Sequence, residues 1–131
     1  MQTLELHITT SARTQMVDIT NKLNCLLKEH QISTGVCYIF CPHTTAAVTI
    51  NENADPTVVQ DMLDTVNKLI PRSDQYLHQE GNSDAHIKAT LFGQSETVLI
   101  KNGKLMLGTW QGVYLCEFDG PRTRSLWVAL Q

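Results

Sequence analysis

The 131-residue chain lacks any apolar run approaching the roughly 18 to 20 residues that span a bilayer, which excludes a transmembrane helix. Its opening MQTLELHITT alternates polar and apolar residues instead of joining a charged stretch to an apolar one, so no secretory leader is expected. Basic residues are few: 10 Lys and Arg against 13 Asp and Glu leave a net charge of −3, the reverse of a nucleic-acid binder's basic excess. Neither nucleic acid nor membrane is an expected partner. Four cysteines without a C-x-x-C pair are too few for a disulfide scaffold and fit a reducing, cytoplasmic setting. Cys37 and Cys41, flanked by Val36, Tyr38, Ile39 and Phe40, are expected as small buried hydrophobes rather than metal thiolates. The P-loop, G-x-G-x-x-G and G-x-S-x-G patterns are missing too, which leaves nucleotide-hydrolase, dinucleotide and serine-hydrolase readings without a motif.

What is present suits one globular domain over residues 1–131: 42% hydrophobic residues supply a core, and 18% charged residues are too few for a disordered chain. Leu4, Leu6 and Ile8 alternate with polar residues as in a half-wet strand. Ile19, Leu23, Leu26 and Leu27 predict a helix over Asp18–His30, with Asp18 or Thr20 as cap. Val36–Cys41 and Thr44–Ile50 read as one buried strand bent at Pro42-His43. Pro56 at a first-turn position and the stripe Val58, Val59, Met62, Leu63, Val66, Leu69 and Ile70 predict a second helix over Pro56–Ile70. A polar loop from Pro71 to Asp84 follows, and then short strands joined by turns, Asn102-Gly103 being the clearest hairpin signal. The order predicts an α+β fold, an antiparallel meander with two helices.

Three groups of residues could carry chemistry. His43 lies at the bend Cys41-Pro42-His43-Thr44-Thr45, while His78 and His86 bracket the polar loop with Glu80 and Asp84 between them. Three imidazoles and an open position would suit a catalytic divalent metal, although the spacing matches no compact zinc motif and each could equally be an ordinary surface or core histidine. Asn51-Glu52-Asn53-Ala54-Asp55 is dense in carboxylates and amides; an ordinary N-cap accounts for Asp55 but not for Glu52 and Asn53, which are candidate acid–base or ligand-orienting groups. Gly108-Thr109-Trp110-Gln111-Gly112 suggests close backbone approach, and Arg122 and Arg124, at alternate strand positions, would share a face able to clamp a phosphate or carboxylate unless they are simply solvated.

The strings CPHTTA (41–46), NENADP (51–56), HIKA (86–89), LGTWQG (107–112) and EFDGPR (117–122) together resemble the YjbQ-like family, also called the secondary thiamine-phosphate synthase enzyme family, over about Thr3 to Leu130. The resemblance implies an α+β fold with a mixed or antiparallel sandwich-like sheet flanked by two helices, and a homotrimer. It implies a metal cleft containing His43 and His86, with His78 of Tyr76-Leu77-His78 as third ligand. The cation would be zinc-like, with magnesium as the alternative. It further implies an enzyme acting on a phosphorylated or anionic small molecule, with thiamine-phosphate synthase activity as a possible, secondary reaction that joins a pyrimidine diphosphate to a thiazole phosphate and expels pyrophosphate. On that reading Glu52, Asn53 and Lys88 are the catalytic candidates, and Thr44, Thr45, Trp110, Gln111, Arg122 and Arg124 bind substrate, with Lys88 and both arginines near its anionic groups. The competing expectation is a non-enzymatic trimeric module that binds a metabolite or partner, its metal structural or absent. A closed four-ligand sphere would favour the module, and an exchangeable water the enzyme.

Overall fold

A computed structural model describes all residues, 1–131. Two antiparallel sheets face each other. The larger has the order β1 (Gln2–Thr9), β8 (Thr123–Leu130), β3 (Gly35–Phe40), β5 (Ser95–Lys101), β6 (Lys104–Leu105), and the smaller the order β2 (Gln15–Asp18), β7 (Gln111–Glu117), β4 (Ala46–Glu52). Every pairing is antiparallel. Between them lies a core of Ile8, Ile39, Val98 and Leu126 from one sheet and Val48, Val113 and Leu115 from the other, with Leu23 and Leu27 of helix α1 (Thr20–Glu29). The smaller sheet is buried on its second face as well, where Ala47, Tyr114 and Cys116 meet Ala85 and Ala89 of α3 (Ser83–Phe92) and Val59, Met62 and Leu63 of α2 (Pro56–Leu69). Hence β7 is buried at six of its seven positions and reads as a continuous apolar run rather than an alternation. No helix is long and apolar enough to cross a membrane.

The α+β class, the first two helices and the burial of Cys37 and Cys41 agree with expectation. Three details do not. A third helix, α3, follows the polar loop; it escapes the periodicity because its buried positions are Asp84, Ala85, Lys88 and Ala89 while Ile87 and Leu91 are exposed, so no apolar stripe marks it. The stretch from Val36 to Ile50 is two strands in different sheets, and the Pro42-His43 bend is where the chain crosses between layers. The final third is no meander: β5 and β6 form a hairpin through Asn102 and Gly103, both at positive φ (54° and 74°) as a type I′ turn requires, but β7 then leaves for the other sheet and β8 returns. At α1, Ile19 occupies the cap position, and Asp18 accepts from the Thr20 N–H (2.9 Å) and hydroxyl (2.6 Å).

Candidate functional site

β3 pairs with β8 only as far as Phe40 opposite Trp127, so the β8 backbone at Ser125 has no strand partner on that side. The His43 ring takes that place. Its Nε2 lies 3.1 Å from the Ser125 N and 3.0 Å from the Ser125 O, so the ring meets both backbone groups of Ser125 through one nitrogen, and only the tautomer whose Nε2–H donates to the carbonyl leaves a lone pair on Nδ1. The Ser125 hydroxyl in turn meets His7 Nδ1 at 3.1 Å, a contact with no sequence signal. Burial, reinforced by the Arg124 charge, lowers the His43 pKa, so the imidazole is neutral at physiological pH.

His43 lines a cavity of about 380 Å³ with Phe40, Thr44, His86, Thr90 and Gln94. His86 and Thr90 reach it from one side of α3. His86 also borders a shallower groove of about 550 Å³ that includes Tyr76 and His78, and the His78 and His86 rings meet edge to face with centroids 5.7 Å apart. The three expected metal ligands thus form a line with His86 at its middle. They do not form a cluster: no three His, Cys, Asp or Glu side chains stand close enough together to hold a metal ion. His78 lies instead 3.8 Å from Glu80.

The expected substrate contacts scatter. Thr44 is at the histidine cavity, but Thr45 and Arg124 are buried and occupied with each other. Arg124 Nε donates to both carboxylate oxygens of Glu117 (2.9 and 3.1 Å), and one of its terminal nitrogens to the Thr45 hydroxyl (2.9 Å) and to Glu117. Glu117 also accepts from the Thr10 hydroxyl (2.8 Å). Arg124 therefore braces the His43–Thr45 turn from behind rather than facing a ligand. Arg122 precedes β8, is exposed and donates to the Asp119 carbonyl (2.8 Å); the expected shared face of the two arginines does not exist, because the strand begins only at Thr123.

Glu52, Asn53, Trp110 and Gln111 sit at the other end of the smaller sheet. Ala46 pairs with Glu117 near the histidine cavity and Glu52 with Gln111 six residues further along, about 20 Å away at strand rise. There Asn53 donates to Asp18 (3.1 Å) and Gln111 accepts from the Gly108 N–H (2.8 Å). A side chain on Gly112 would run into Asn53. These two motifs build a corner of the sheet, and Trp110, 63% exposed, is not core.

Lys88 is buried on the opposite side of α3 from His86, its Nζ donating to Asn67 (2.8 Å) and Asp84 (2.8 Å). Asp84 also takes two bonds of 3.0 Å from Arg13. Burial works against ionisation of Asp84, but the hydrogen bonds and charges of Arg13 and Lys88 outweigh it and hold the pKa at about 2. Arg13 was not a candidate from sequence; the Asp84–Lys88 spacing of four would have been the signal had α3 been visible.

These two layers of strands, with the histidine bend crossing between them and helices on the smaller sheet, define an α+β protein. The family model for UPF0047 proteins, YjbQ-like, matches residues 4–131, and the chain belongs to that family. The UPF0047 protein YugU of Bacillus subtilis is 48% identical over 126 residues, covering 95% of this chain and 96% of that one. A UPF0047 protein of Methanocaldococcus jannaschii is 49% identical over 123 residues, 94% of this chain and 89% of its own. Among solved structures, an uncharacterised YjbQ/UPF0047 protein of Clostridium acetobutylicum superposes with a TM-score of 0.94 at 51% identity, covering 98% of this chain and 99% of that one. A protein of unknown function from Sulfolobus solfataricus reaches 0.91 at 31% identity, covering 98% and 95%.

Proposed function

We propose that the protein is an enzyme acting on a phosphorylated or otherwise anionic small molecule bound in the His43–His86 cavity. The observation that carries this reading is that two imidazoles from separate elements, one of them held neutral by burial and by Arg124, face a single cavity whose wall also includes the side chains of Thr44, Thr90 and Gln94. In the tautomer whose Nε2–H donates to the Ser125 carbonyl, Nδ1 carries the lone pair and can accept a proton or ligate a metal. Imidazole donors suit a zinc-like ion better than magnesium. His43 and His86 would hold such an ion and His78 would be the third ligand, but the three rings as they stand are not a ready three-ligand set, so no catalytic step is routed through it. The ion, when bound, would supply Lewis-acid stabilisation of charge on an oxygen. Thiamine-phosphate synthesis is the specific reaction to assay first. In it, the chain's own part would be to orient the phosphorylated ring at Thr44 against a wall that includes Thr90, whose hydroxyl donates to the His86 carbonyl (2.9 Å).

The test is direct. Protein purified without chelator should carry a transition metal by elemental analysis, His43→Ala or His86→Ala should remove it without unfolding the chain, and metal-free wild-type protein would end the ligand assignment. Pyrophosphate release from the two thiamine precursors should likewise disappear in both variants; no release by the wild type would remove that reaction and leave the cavity without its proposed substrate.

A second reading, assembly as a trimer that binds a metabolite or partner without catalysis, draws on the outer face of the larger sheet, where Tyr38, Phe40, Leu99 and Trp127 are 40–56% exposed. Phe40 belongs both to this face and to the histidine cavity, so a second copy packed there would reach the cavity rim.

A further inference from the structure

Positions two apart on a helix differ by about 200°, so α3 turns His86 and Thr90 one way and Asp84 and Lys88 the other. On the Asp84–Lys88 side lies a separate cavity of about 300 Å³, lined by Arg13, Thr14, Asn67, Pro71, Arg72 and Lys88. Three of these six are cations. One carboxylate, the buried Asp84, accepts from two of them, Arg13 and Lys88, and cancels a single charge. Arg72 is exposed and forms no ion pair, and the nearby Asp119 is already bonded by Asn82 and Arg122. The cavity wall therefore carries two positive charges beyond what Asp84 neutralises.

Its hydrogen-bonding capacity is one-sided as well. Arg13 Nε is buried with no partner, a rare condition for a native donor. Lys88 uses two of its three donors, on Asn67 and Asp84. The Thr14 hydroxyl accepts from Asn67 (3.3 Å), which leaves its own proton to give. What this wall lacks is an acceptor with several oxygens and a charge near −2.

We infer that this cavity is a binding site for a phosphate group, either inorganic phosphate or the phosphate end of a small ester, distinct from the histidine cavity on the other side of α3. A carboxylate offers two coplanar oxygens and a single charge, whereas a phosphate offers a tetrahedral set that can meet Arg13, Arg72, Lys88 and Thr14 together. The site stands independently of any activity at His43.

The experiment is calorimetric titration of the full-length protein at low salt with inorganic phosphate and, separately, with glycerol 3-phosphate. Binding in the millimolar range or tighter is expected for at least one probe, and the tighter of the two tells free phosphate from an ester. Arg72→Ala, which breaks no internal contact, should weaken binding about tenfold, the loss of one charge-assisted bond. Arg13→Lys, which keeps a charge beside Asp84 but removes the planar fork, should do likewise, while His43→Ala should leave affinity within about twofold. Absence of binding by both probes, or binding that survives Arg72→Ala and is lost in His43→Ala, would overturn the assignment.

Discussion

At Arg124 a buried charge decides what its neighbours can do. Its guanidinium and the Glu117 carboxylate are both excluded from water, with side-chain exposures of 4% and 0%. A pair in that position tolerates the loss of neither partner, because the remaining charge keeps its desolvation cost. Arg124→Met should therefore cost about 3–5 kcal/mol in a urea denaturation series. Arg122→Ala, which removes a half-exposed pairing with Asp119, should cost less than about 1 kcal/mol. Similar midpoint shifts for the two variants would contradict the assignment of Arg124 as the brace of the His43 turn. Arg124→Met also withdraws a cation that helps keep His43 neutral, so the His43 titration, followed by NMR, should move up in any uncharged Arg124 variant that folds.

On the scale of the element, α3 separates two chemistries and its stability is tied to acid. Asp84 falls from an ordinary 3.8 to about 2 in the folded protein, so the unfolded chain binds the proton more readily. Its stabilisation is complete above 3.8 and disappears as pH falls through about 2, a contribution on the order of 2 kcal/mol. Acid unfolding of the wild type should steepen across that interval, and Asp84→Asn, less stable at neutral pH, should lose that steepening; parallel acid profiles would exclude Asp84 as the titrating group. The helix also marks how far the sequence could be read. α2 was legible because its apolar stripe and its Pro56 start agree, and Asp55 caps it by accepting from the Thr57 N–H at 2.9 Å as the pattern predicts. α3 was not, since burying an ion pair on one side and setting histidine and threonine on another erases the stripe. The bend at His43 was legible as a bend carrying a candidate imidazole, whereas Arg124, read as a substrate clamp, is buried against Thr45 and Glu117. Alternation along a strand carries no information about which charged residue finds a buried partner 79 positions away, as Arg124 does in Thr45.

For the whole molecule, the unequal covering of the two sheets is the main fact. The smaller sheet has the core on one side and α2 with α3 on the other, whereas the larger has the core on one side and no element on its outer face. Strand register makes that outer face continuous: Phe40 lies opposite Trp127 and stacks on it with centroids 5.8 Å apart, Val36 lies opposite Leu99, and Tyr38 lies between Thr97 and Ala129. Scattered apolar residues need no explanation, but a joined patch of aromatic and aliphatic side chains on a small chain does. Closed assembly is the economical answer, because an isologous or cyclic contact buries the same patch on every copy. Light scattering behind size exclusion should therefore give a mass above that of one chain for the wild type, a trimer if the contact is cyclic, and Trp127→Glu, which sets a charge beside Phe40 in the patch while leaving the inward-facing Leu126 and Val128 untouched, should give a folded monomer. A monomeric wild type would leave the aromatic face to a different partner, and a variant that remains trimeric would move the contact to another surface.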